Sequence, residues 1–170
     1  MKPNTVGRVD GTGPIRPYAP FRTLSGGIPT GTIVLSQDGE IPVEYLCEGD
    51  RVVTRHGGLV PLRRLHVRTV DSRAILIAAG SLGDTRPECN LTVPEDQTIL
   101  LRDWRAQAMF GRAQALATAG QLVDGEFIRD LGRQRMELFQ LEFDTPQVIY
   151  AGRLELGCSA PEFVDLRASA

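Results

Sequence analysis

From residue 26 onward the apolar positions fall in short runs separated by turn residues. "TIVL", "RVVT", "LVPLRRLHVRTV" and "AILIAA" are rich in branched side chains, which suit a pleated, half-buried surface. "TILLR", "EFIRDL", "MELFQLEF" and "QVIYA" continue the series. Such runs recur about every ten residues, a spacing that predicts an all-β body of short antiparallel strands rather than βαβ units. "QDGE" and "RHGG" are tight-turn tetrapeptides whose glycines accept positive φ. The exception is "RDWRAQAMFGRAQALATAGQL", residues 102–122. Its Ala, Gln, Leu and Arg favour helix. Gly111 and Gly120 limit that to one or two short helices.

The pattern changes before residue 26. Residues 1–25 have no hydrophobic period, and Pro3, Pro14, Pro17 and Pro20 oppose helix and favour extended chain. The sequence therefore predicts an extended Pro/Gly-rich arm over 1–25 and a β domain over 26–170. Ile15, Tyr18 and Phe21 are the arm's candidate partner-binding anchors. They either fill a pocket on another protein chain or pack on their own body.

Charge and composition narrow the function classes. The net charge is −2 over 170 residues, so no overall electrostatic case for nucleic acid exists. Eighteen of the nineteen basic residues are arginine, Lys2 being the exception. Arginine favours planar, bidentate contacts to carboxylates, as at protein interfaces; GC-rich coding gives the same bias. The arginines of "PLRRLHVRTVDSR" either dock an acidic partner or form a solvated strand face. Cys47, Cys89 and Cys158 are too few and odd in number for a disulfide framework, which fits a reducing compartment. Neither His56 nor His66 pairs with cysteine at zinc spacing, so no metal is expected. There is no GxGxxG or GxxxxGK, and no cofactor is expected. The start "MKPNTVGRVDGTGPIRPYAP" lacks an apolar h-region, and "AILIAAGSL" is too short to span a bilayer. The expectation is no signal peptide, no membrane, and a cytoplasmic setting or carriage in a phage-like particle.

An ordered succession of motifs then appears: "GTIVLSQDGEIPVEYLCEGDRVVTRHGGLVPLRRLHVRTV", "AGSLG", "NLTVPEDQTILLRDWRAQAMFG", "ALATAGQLVDG" and "LFQLEFDTPQVIYAG". This succession, over about residues 27–157, resembles a Hint domain of the bacterial stand-alone type. Hint is the shared fold of hedgehog autoprocessing domains and inteins. The resemblance implies self-cleavage by an acyl shift. A Cys, Ser or Thr at the domain's first position attacks the preceding carbonyl. A middle-motif histidine assists the departing amine, and polar groups stabilise the oxyanion.

This chain departs from the pattern at three positions. Gly27 stands where the resemblance expects the first cysteine. Gln97, in "VPEDQ", stands where it expects the middle histidine. Pro146, in "DTPQ", stands where it expects a late histidine. Glycine has no nucleophile, glutamine does not titrate near neutral pH, and proline has no polar side-chain atom or amide N–H. The expectation is thus no enzymatic activity: a catalytically inactive Hint-like domain acting as a structural or adaptor protein among other protein chains, in a homo- or hetero-oligomer. The alternative is autoprocessing through Ser25, or through Thr30 or Thr32 nearby.

Overall fold

The computed structural model describes residues 26–158. Twelve strands are present there: β1 (Ile28–Pro29), β2 (Ile33–Ser36), β3 (Gly39–Pro42), β4 (Arg51–Thr54), β5 (Gly58–Pro61), β6 (Arg64–Ile77), β7 (Leu91–Pro94), β8 (Thr98–Leu101), β9 (Ala115–Thr118), β10 (Ile128–Glu142), β11 (Gln147–Ala151) and β12 (Leu154–Cys158). One α-helix, α1 (Trp104–Phe110), and 3-10 turns at Val43–Tyr45 and Ala119–Leu122 complete the described elements. The fold is all-β, as the run spacing predicts. The arm anchors Ile15, Tyr18 and Phe21, together with Ser25, lie outside the described residues. Among those residues no helix is long and apolar enough to cross a bilayer.

The strands form two antiparallel sheets. One has the order β1-β10-β6-β7, and the other runs β3-β2-β4-β11-β12-β8-β9 with β5 paired to β4. The "QDGE" tetrapeptide turns β2 into β3, with Gly39 at φ 103°. "RHGG" turns β4 into β5, with Gly58 at φ 65°. Both positions need the left-handed backbone that glycine adopts without a Cβ clash.

Two features depart from the run-by-run reading. "LHVRTV" and "AILI" belong to a single 14-residue strand, β6, while "IRDL" and "MELFQLE" share the 15-residue β10. The polar residues between the runs stay in the strands because their partners are polar too. Asp71 faces Arg135, and Ser72 faces Gln134. A bulge absorbs the odd residue: between Asp130 and Arg133 β10 advances three positions while β6 moves two, from Ile75 to Arg73.

The second departure is β9. Residues 115–118 have helical composition but form a strand, because Leu116 and Ala117 complete the ladder with Leu100 and Ile99. The helix before them is held short by its own ends. Asp103 Oδ1 accepts from Arg105 N–H, and Gly111, at φ 65°, turns the chain away.

A common core lies under both sheets. Ile28, Ile75, Ile77, Ile99, Leu141, Phe143, Ile149 and Leu156 are all essentially inaccessible and belong to one cluster. Each large apolar side chain so buried contributes about 1.5–3 kcal/mol. That cluster clamps β1, β8, β10 and β12 against one another. The functional positions are carried by these four strands and the turn that enters β8.

Candidate functional site

The turn between β7 and β8 is built from Pro94 to Gln97, closed by a hydrogen bond from Gln97 N–H to Pro94 O at 3.0 Å. It drives the Gln97 side chain inward, where it is 2% exposed. The carboxamide donates from Nε2 to the carbonyls of Thr98, at 2.9 Å, and Gly157, at 3.1 Å. It thereby ties the start of β8 to the end of β12. A buried amide so satisfied is a rigid structural link.

β1 arrives on the other side. Ile28 pairs with Phe139 of β10, which sets the preceding Gly26 and Gly27 against Gln97. These three line one small cavity with Thr98, Gln140, Gly157 and Cys158. Its volume is about 10 Å³, room for roughly a single water. The cavity has been closed by backbone. A Cβ on Gly26 would stand 2.9 Å from Gln97 Oε1 and 3.0 Å from Gln97 Cα. A Cβ on Gly27 would stand 2.8 Å from Leu138 Cβ. At the end of the chain's path, a Cβ on Gly157 would lie 2.2 Å from Thr98 Oγ1. The site therefore lacks a nucleophile at its first two positions and lacks space for one.

Cys158 is the cavity's one titratable group. Burial pushes its thiol up to about 12, because an apolar surround disfavours thiolate. It is thus a neutral, weakly nucleophilic thiol at neutral pH. The Gly26 carbonyl, at the arm's point of entry, accepts from Arg68 Nη2 at 3.3 Å. One cationic donor therefore does address the carbonyl that an acyl shift would attack.

The structure brings together Gly27 and Gln97, two of the three positions where the sequence departs from the motifs it resembles. Pro146 lies elsewhere, exposed in the bend before β11. The alternative nucleophiles also stand apart. Thr30 points its hydroxyl to Glu137 Oε1 at 2.9 Å, and Thr32 is buried beyond the cavity wall. His56 occupies the exposed β4–β5 turn. His66 is half exposed on β6, 3.4 Å from Glu142 Oε2. Neither histidine lines the cavity. The sequence reading missed Thr98, Gly157 and Cys158 as members of this site, since β12 shows no alternation: all five of its residues are buried.

Comparison with known structures places this arrangement. The chain superposes on the gp41-1 intein with a TM-score of 0.51 at 14% identity, over 77% of this chain and 97% of that one. A bacterial intein-like domain from Clostridium thermocellum gives 0.53 at 13% identity, over 78% and 97%. A DnaB intein from Synechocystis sp. PCC 6803 gives 0.52 at 10% identity, over 79% and 99%. At such identities the likeness is one of fold. No curated protein matches the chain. The family profile of the Hint domain matches residues 28–158, from the first described strand to the cavity's thiol, and on that match the chain belongs to the Hint-domain family.

Proposed function

We propose that this protein is a Hint scaffold without self-cleaving activity, acting as a structural or adaptor protein in a larger protein assembly. The observation that carries this reading is Gln97. Its amide is committed to two carbonyls across the cavity, and its Oε1 abuts Gly26, so no proton donor or acceptor that titrates near neutral pH stands at the scissile position. With activity absent, the fold acts by shape, and the arm over 1–25 is the part suited to reach other chains. A phage-like particle is one setting that fits a small β body with an extended arm, by analogy of form alone.

The second reading is autoprocessing, favoured by one contact, Arg68 to the Gly26 carbonyl. A guanidinium there would stabilise an oxyanion at that carbon. Yet among the described residues that line the cavity, burial keeps the Cys158 thiol protonated, and the Thr98 hydroxyl has no basic group beside it in the lining.

The adaptor role is tested on the arm. Replacing Ile15, Tyr18 and Phe21 together by alanine removes the arm's large apolar anchors, each contributing about 1.5–3 kcal/mol when buried. Sedimentation velocity is expected to show an assembled wild-type chain and a monomeric variant, with identical far-ultraviolet circular dichroism. A variant that assembles as well as the wild type contradicts the arm's role, and a monomeric wild type contradicts self-assembly.

A further inference from the structure

A second cluster, built on Glu155 of β12 and not lining the cavity, stands unexplained by the proposed function. Glu155 of β12 is buried, with 3% of its side chain exposed. Three guanidiniums surround it. Arg55 Nη1 donates to Oε1 at 2.8 Å, Arg102 Nε stands 2.9 Å from Oε2, and Arg86 Nη1 stands 4.0 Å from Oε1. They come from three separate segments: the β4–β5 turn, the β6–β7 loop and the residue after β8. Folding assembles the cluster, and no sequence motif announces it.

One buried carboxylate faces three cations. Among the described residues Asp84 is the other acid in an ion pair with one of these arginines, 3.8 Å from Arg86 Nη2, but 91% of its side chain is in solvent. The buried part of the cluster therefore holds an excess of two positive charges. Its donors also outnumber its acceptors, since each guanidinium offers five N–H groups in a fixed fork. Arg55 Nε, Arg86 Nε and Glu155 Oε2 are buried and have no hydrogen-bond partner among the described residues, although Arg102 Nε lies 2.9 Å from that oxygen. The two Nε groups are enclosed, so it is the accessible part of each guanidinium that an anion would meet. The site is open to one. The side chains of Arg55, Arg86 and Arg102 are 16%, 23% and 34% exposed, in that order.

We infer that Arg55, Arg86 and Arg102 form a binding site for a dianionic phosphate group, free or carried on a small molecule. The charge matches. A phosphate monoester carries about −1.5 to −2 near pH 7 and has three strong acceptor oxygens. Guanidinium forks pair with phosphate oxygens in bidentate geometry. Glu155 fixes the forks in place and sets the excess at two.

The test is calorimetric titration of the full chain with inorganic phosphate, and separately with phenyl phosphate, at constant ionic strength held by sodium chloride. Saturable binding of at least one is expected, and the tighter of the two names the source of the group. Arg102→Gln should weaken binding at least tenfold. Glu155→Gln, which raises the excess charge to three, should tighten it about tenfold. Arg153→Gln removes an exposed arginine already shared between Glu40 and Glu88 and should leave binding unchanged. Absence of saturable binding by wild type overturns the site, as does equal binding by wild type and Arg102→Gln. Should Glu155→Gln fail to fold, the comparison of wild type with Arg102→Gln still decides.

Discussion

Gln97→Glu should turn a pH-insensitive link into a pH-sensitive fault. The substitution keeps shape and exchanges an NH₂ donor for an oxygen, facing the carbonyls of Thr98 and Gly157 that Gln97 Nε2 now serves. An ionised carboxylate has no proton to offer either oxygen. Among the described residues no cationic side chain lines the cavity, Arg68 reaching the Gly26 carbonyl from outside it, so burial raises the folded-state pKa of the new group, by about 3–5 units for a fully buried carboxyl. The sign follows. Below the unfolded value of about 4.3 the variant is protonated in both states and retains one of the two hydrogen bonds. As pH rises above that value the unfolded chain releases its proton first, and stability falls until the folded pKa is passed. A shift of three units costs about 4 kcal/mol at pH 8. Urea denaturation of wild type and variant between pH 4 and pH 8 measures it. Curves that move in parallel with pH would show that Gln97 is not enclosed as described.

Gly157→Ala is expected to be the most damaging addition of a single methyl group to this site. Its Cβ would stand 2.2 Å from Thr98 Oγ1, so the buried Thr98 side chain must turn or β12 or β8 must move, and both strands also carry the Gln97 bridge. Overpacking of this kind costs about 1–3 kcal/mol, occasionally more. The cause is separable. Thr98 Oγ1 is buried without a hydrogen-bond partner among the described residues, so Thr98→Ala should cost little. It also removes the clashing atom, leaving Thr98 Cβ at an ordinary 3.4 Å from the new methyl. The double variant should therefore recover most of the loss, giving a coupling of about 1–3 kcal/mol in a double-mutant cycle. Additive losses would place the strain elsewhere.

The sequence made the β body and its two glycine turns legible, because period-2 runs and turn chemistry are local signals. Motif order singled out Gly27 and Gln97, which the structure brings to one cavity. What it hid was long range. The continuity of β6 and β10 depends on cross-strand pairs such as Asp71 with Arg135, which no window of either strand contains. Residues 115–118 became strand through pairing with β8, against their helical composition. Gly157 and Cys158 meet Gly26 across the whole length of the domain, and the arginines about Glu155 come from loops with no shared pattern. The crowding at Gly26 and Gly27 was equally invisible, since glycine in sequence announces freedom of backbone and says nothing of what stands where its side chain would be.

We propose that this Hint scaffold does not cut itself, and the stretch from Leu24 to Thr32, the Gly26–Gly27 bond first, is where a cut would show. Intact mass spectrometry of the purified 170-residue chain after prolonged incubation, alone, with dithiothreitol and with hydroxylamine, reads that stretch. Dithiothreitol and hydroxylamine trap thioester and ester intermediates, so they expose a slow acyl shift that water alone would miss. One species of 18.6 kDa is expected under all three conditions. A fragment beginning anywhere from Ser25 to Thr32 that accumulates with time, and faster with either nucleophile, would mean that the chain cleaves itself.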